Sequence, residues 1–239
     1  MSGFQRARSA EQREVRRRSI LDAAAAMLAE MPVAEVSLNE LSRRAGLAKS
    51  NVLRYFDSRE AVLLELLTAA MAEWLAELAE QLPAAVDPTA GAAQRGEQVA
   101  AVLAATAARR PVLCDLISAQ AAVLERNVSA SCAAEFKRAA VRGVDELARL
   151  VRAHVGELDL HAARAFGGLA PMTIGAIWTH THPSASMQAA YRAHPELAAL
   201  RLDFAVALRE TLAILLAGLL ARPGPAWVEA APGWSAVVG

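Results

Sequence analysis

A chain of 239 residues that is 55% hydrophobic can bury a sizeable core, and its two cysteines, Cys114 and Cys132, offer neither a disulfide framework nor a metal motif. The 25 basic and 25 acidic residues cancel, which on its face argues against a nucleic-acid partner. The division along the chain removes that objection: residues 1–60 hold eleven Lys or Arg against eight Asp or Glu, and the remainder fourteen against seventeen.

The polar, arginine-rich start lacks the apolar run of a secretory leader, so the expectation is a cytoplasmic protein with reduced core cysteines. Residues 1–18 read as a basic arm, in which Arg6, Arg8, Arg13, Arg16, Arg17 and Arg18 face only Glu11 and Glu14. Such an arm either lies along phosphates or merely solubilises. Alanine-rich runs and few aromatics predict helix throughout, giving an all-α fold of about nine helices.

A first helix through Ile20 stops before Pro32, which disfavours helical geometry at Met31. Ser37 and Glu40 have capping-box spacing, in which serine oxygen and glutamate carboxylate each satisfy a free backbone N–H, so a second helix begins at Leu38. Leu38, Leu41 and Ala45 share its apolar face and Arg43 and Arg44 leave the other side basic. Gly46 supplies a left-handed closing position. A third helix, Lys49 to Phe56, turns Val52, Leu53 and Phe56 inward and leaves Lys49, Ser50, Asn51, Arg54 and Tyr55 outward. Asn pairs bidentately with adenine, Lys and Arg bind guanine or phosphate, and hydroxyls bind phosphate oxygens. This is the sequence form of a helix-turn-helix reader of double-stranded DNA, spanning residues 19–57.

From Ile20 to about Leu67 the chain resembles the DNA-binding domain of the TetR/AcrR family of bacterial transcriptional repressors. The resemblance rests on Ile20-Leu21-Asp22-Ala23-Ala24, Ser37, Gly46, Leu53-Arg54-Tyr55-Phe56 and Ser58-Arg59-Glu60. It implies that Ser37, Lys49, Tyr55 and Arg59 contact phosphates and that Ser50, Asn51 and Arg54 lie nearest the bases. Leu53 stands where the family usually has a tyrosine, and Ala48 where it has Ser or Thr.

Residues 58–222 read as a larger helical domain. A fourth helix capped by Asp57 or Ser58 runs to Leu82 before Pro83, and residues 84–96 form a loop. Further helices are expected over 97–109, 112–126, 129–155, 160–181 and 195–221, followed by an irregular tail over 223–239 with Trp227 and Trp234. The uncharged stretch from Ala165 to Tyr191 is broken by Gly167, Gly168, Pro171, Gly175 and Pro183, so no membrane partner is expected. Gly168 and Gly175, with the stripe Leu197, Leu200, Phe204, Leu208, Leu212, Leu215 and Leu219, suggest either a four-helix dimer interface or a filled protomer core. The family resemblance implies a homodimer and an internal effector pocket. Bulky apolar candidates to line it are Trp74, Leu113, Ile117, Phe136, Phe166, Met172 and Trp178, and the scarcity of charge there favours a small, mostly apolar effector. His161, His180 and His182 lack the spacing of a metal site, and no nucleophile elbow, phosphate loop or dinucleotide fingerprint is present, so neither a cofactor nor an enzyme is expected. The functional expectation is a ligand-released repressor on a palindromic operator. The alternative is a helical small-molecule or partner-binding protein with a degenerate helix-turn-helix.

Overall fold

The computed structural model describes residues 2–222, with side chains from residue 11 onward apart from Ala198; the tail with Trp227 and Trp234, and the side chains of Arg6 and Arg8, lie outside the described residues. Ten α-helices and no strand occur among the described residues: α1 Ser2–Glu30, α2 Leu38–Arg44, α3 Lys49–Val52, α4 Arg59–Ala85, α5 Ala92–Ala108, α6 Pro111–Ala119, α7 Ala130–His154, α8 Leu160–Thr181, α9 Ala185–Ala193 and α10 Phe204–Leu220. The backbone over residues 2–18 is continuous with the first helix.

The chain divides into two compact units, residues up to 68 together with 119–136, and 69–118 together with the described chain from 137. In the first, α1 packs on α2 and α2 on α3. Ile20, Ala24 and Met27 of α1 meet the core at successive turns, joined by Val36, Leu41, Val52 and Phe56, all buried. Ser58 Oγ accepts the Ala61 N–H at 3.2 Å and starts α4.

In the second unit α10 packs against α5 and α8. Gly96, expected in a loop, lies inside α5, where a Cβ would stand 3.6 Å from the Leu216 Cβ. A small residue there lets the two helices approach. Trp74 and Thr106 are fully buried, and the indole N–H donates to the Thr106 hydroxyl at 2.8 Å. Thr106 in turn donates to the Val102 carbonyl at 2.8 Å, so both buried polar groups are internally satisfied. Gly167 passes so close to α7 that a Cβ would fall 2.7 Å from the Val144 carbonyl oxygen.

Several boundaries depart from expectation for identifiable reasons. Pro83 does not end α4, which runs on to Ala85. The ring forfeits one backbone bond, but buried Leu82 and Val86, joined by a 3.0 Å bond, hold the last turn. α5 starts at Ala92, five residues early, because Arg95 ties that turn down to the Ala90 carbonyl at 2.6 Å, the His154 carbonyl at 2.8 Å and Glu157 at 2.5 Å. α6 widens after Ala119 into a π turn, closed by Glu125 N–H on the Gln120 carbonyl at 3.1 Å. The single helix expected from 195 is a short 3-10 segment, Pro195–Leu200, then α10, because the Asp203 carboxylate caps Val206 N–H at 2.9 Å. α9, capped by Ser184, was not anticipated.

The apolar stripe is corrected as well. Phe204, Leu208, Leu212 and Leu219 are buried inside the protomer, Leu216 replaces Leu215 in that column, and Leu200 is 68% exposed. Gly175 serves α6 of its own chain, its missing Cβ leaving room for Ile117 Cγ2 at 3.1 Å. The Phe204, Leu208, Leu212 and Leu219 part of the stripe is therefore core, and Leu160, Met172, Val206 and Ile214 are the large apolar residues left outside on α8 and α10. Among the described residues no helix is long and apolar enough to cross a membrane.

Candidate nucleic-acid interface

Ser37, extended at φ −107° and ψ 151°, accepts the Glu40 N–H at 3.1 Å and starts α2 as the capping spacing predicts. The reciprocal half of the box does not carry the glutamate. Glu40 instead receives Arg43 Nε at 2.8 Å, Arg43 Nη2 at 2.6 Å and Arg44 Nε at 2.9 Å. These two guanidiniums hold its carboxyl down to about 2, the Arg43 hydrogen bond contributing most. Arg44 also reaches Glu30 at 2.7 Å, and this pairing lowers Glu30 and raises Arg44. α1 and α2 are thereby pinned together by charge.

The turn follows from one glycine. Gly46 has φ +64°, the only positive value among the described residues, and a Cβ there would meet nothing within 4 Å. Gly46 N–H bonds the Arg43 carbonyl at 3.2 Å and Leu47 N–H the Ser42 carbonyl at 3.0 Å, the two bonds of a Schellman stop. α3 is shorter than expected, four residues, but helical bonds continue past it, with Leu53 N–H on the Lys49 carbonyl at 3.1 Å and Phe56 N–H on the Val52 carbonyl at 3.1 Å.

Val52 and Phe56 take the buried side, and Lys49, Ser50, Asn51 and Arg54 are exposed. Leu53, expected to dock inward beside Phe56, is exposed instead, because α3 closes at Val52 and the buried side is already filled by Val52 and Phe56. Ser37 and Arg43 are exposed too, whereas Arg44, Tyr55 and Arg59 are half-buried. Arg59 donates to the Val36 carbonyl at 2.6 Å and pairs with Glu60 at 3.0 Å, which makes it a brace for the segment entering α2. Arg43 and Arg44 are likewise engaged by acidic partners. Among the described basic residues between 37 and 59, Lys49 and Arg54 keep their charge free of ion pairs.

Arg17 is the residue whose role the sequence reading missed. Grouped there with the basic arm, it pairs with Glu65 through two contacts, donates to the Tyr55 carbonyl at 3.0 Å and lies 4.3 Å from the Phe56 ring centroid. One guanidinium thus ties α1, α4 and the end of the reading turn. The signal was present: Arg17 precedes Ile20 and Ala24 by three and seven residues, on the buried stripe of α1.

Two family models match the chain: "Bacterial regulatory proteins, tetR family" over residues 20–66 and "Tetracyclin repressor-like, C-terminal domain" over residues 68–223. The chain belongs to the TetR family. It is a DNA-binding transcriptional regulator, and its helix-turn-helix is the family's reading head. A TetR regulator from Rhodococcus sp. RHA1 superposes with a TM-score of 0.54 at 18% identity, covering 89% of this chain and 97% of that one. The fatty acid degradation regulator FadR of Bacillus halodurans gives a TM-score of 0.52 at 16% identity, covering 85% and 96%. At these identities the likeness is one of fold. No curated protein matches the chain.

In the second unit, Trp74, Leu113, Ile117 and Phe166 are buried, as is Phe136 in the first. Met172 is 71% exposed and so lies outside any protomer interior. Trp178 is half-buried, its ring stacked on His182 at 3.5 Å and edge-on to Phe204 at 5.1 Å. Burial pushes the Cys114 thiol up to about 12, and Cys132 is raised as well, so neither is an activated nucleophile. Among the described residues no group of three His, Cys, Asp or Glu is placed to hold a metal, His161, His180 and His182 included.

Proposed function

We propose that this regulator is a repressor that binds a palindromic operator as a homodimer and is released by a small, mostly apolar effector. The observation that carries the reading is the presented set Lys49, Ser50, Asn51 and Arg54, a polar, partly cationic surface whose charges are not spent on internal partners. Ser50 and Asn51 are assigned to base edges, with Arg54 beside them, and Lys49, Ser37 and Tyr55 to phosphates. Arg43 reaches phosphate only by leaving Glu40, and Arg44 and Arg59 act by holding the head rigid. Residues 2–18 add a helical, arginine-rich flank able to follow the backbone.

Two reading heads are needed because one short helix covers only a few base pairs. The apolar outer face of α8 and α10, with Met172 71%, Val206 55% and Ile214 69% exposed, supplies a self-complementary surface for a two-fold pair. The effector reading draws on the interior of the second unit. Thr106 is the one polar residue buried as a whole among its described residues and is already bonded to Trp74, so space opened around it has mostly apolar walls.

The test is selection of duplexes from a randomised pool by the full chain, followed by sedimentation of the enriched complex. An inverted repeat bound by two chains, with affinity falling steeply with salt, supports the proposal. A monomer at micromolar concentration defeats the dimer, and failure to enrich any duplex favours the ligand- or partner-binding alternative. Thermal stabilisation by multiply anionic compounds alone would contradict the apolar effector.

A further inference from the structure

The reading surface contains one residue that does not match the rest. Leu53 is 43% exposed, the only large exposed hydrophobic among the described residues from 16 to 122. Singly exposed leucines are ordinary on a protein surface. Here, however, every other exposed member of the stretch 49–54 is polar, and the inward positions are filled by Val52 and Phe56 without it.

Its position is well defined. Leu53 sits at φ −66° and ψ −8°, its N–H bonded to the Lys49 carbonyl at 3.1 Å. Two residues on, Arg17 grips the Tyr55 carbonyl at 3.0 Å. Helical spacing sets Leu53 beside Lys49 and Ser50, four and three residues before it, on the flank of the outward face opposite Asn51. An apolar side chain held against a duplex finds little to match it in the major groove. Base edges there are hydrogen-bond donors and acceptors, and the apolar exception is the C5-methyl group of thymine.

We propose that Leu53 is a specificity-determining residue whose methyl groups pack on the C5-methyl of a thymine in each operator half-site. The proposal rests on the DNA-reading assignment and adds to it a base and an atom. It also gives the departure from tyrosine at this position a consequence, since a phenol hydroxyl seeks a polar partner and leucine does not.

The experiment uses duplexes enriched from the randomised pool by the full-length wild-type chain, with each thymine of a half-site replaced in turn by deoxyuridine. That change removes one methyl and leaves pairing intact. One position should weaken wild-type binding by about fourfold, the factor implied by exposing one methyl-sized apolar group. The Leu53→Ala variant should bind the thymine duplex that much more weakly or worse, and show no further loss with deoxyuridine. Leu53→Met, which keeps an apolar reach, should retain part of the discrimination. An enriched half-site without thymine, indifference of the wild type to every deoxyuridine, or an equal loss in Leu53→Ala each overturns the thymine contact while leaving DNA binding in place. Failure to enrich any duplex overturns the contact together with the reader assignment.

Discussion

Replacing Arg17 with alanine removes three interactions whose sizes can be worked from their geometry. The two-contact pair with Glu65 joins side chains about one-third exposed, 34% and 35%, so solvent screening limits it to about 1 kcal/mol or less. The charged donor on the Tyr55 carbonyl at 3.0 Å adds about 1.5 kcal/mol. The guanidinium over Phe56 at 4.3 Å adds about 0.5–1 kcal/mol. Allowing for non-additivity, Arg17→Ala should cost about 2–3 kcal/mol, a fall in Tm of roughly 5–10 °C for a chain of this size. Glu65→Gln, which keeps the other two contacts, should cost about 1 kcal/mol or less. Arg17→Lys preserves charge but not the fork, and should fall near the alanine variant. Calorimetry on the three variants decides, with duplex binding measured well below each Tm. Because the Tyr55 carbonyl anchors the reading turn, Arg17→Ala should weaken binding even where the protein is fully folded. If Arg17→Lys matches wild type in both, the guanidinium geometry is irrelevant and the brace is misassigned.

Gly46→Ala should destabilise by about 1–2 kcal/mol with Gly46→Asn milder, because φ +64° is unfavourable for a Cβ although nothing within 4 Å blocks one; equal costs by chemical denaturation would show that conformation is not the cause. Glu40 has its carboxyl lowered by folding, from an ordinary 4.5 to about 2, so its contribution is complete above about pH 4.5 and disappears as pH falls toward about 2. Acid unfolding followed by circular dichroism should therefore show Glu40→Gln less stable than wild type near neutrality, with the two curves converging in strong acid; a constant gap would refute the pairing. Gly167→Ala should cost about 1–3 kcal/mol, since its Cβ would meet the Val144 carbonyl oxygen at 2.7 Å. Gly143→Ala, whose Cβ would sit at an ordinary 3.9 Å from Leu75, should instead stabilise its helix by about 0.5–1 kcal/mol; the reverse order in urea midpoints would contradict the close approach.

Features encoded within a few residues were legible in the chain itself. The cap at Ser37, the glycine stop at Gly46, the inward pair Val52 and Phe56, and both ends of α8 follow from bonds or spacings that close inside one or two turns. Lys49, Ser50, Asn51 and Arg54 of the reading face were legible for the same reason, but the inward expectation for Leu53 failed, because helical spacing past Val52 does not tell which apolar residue the core has room for. Partner choice across elements was not legible. Whether Glu40 closes a capping box or holds two arginines, and whether Arg17 belongs to a loose arm or a brace, depends on which charges other helices bring within reach. Likewise the leucine repeat of α10 predicts an apolar face in either a core or an interface, because burial by one's own chain and by a second copy reward the same residues. Only the placement of α5 and α8 against that face assigned it to the protomer interior and left Met172, Val206 and Ile214 outside.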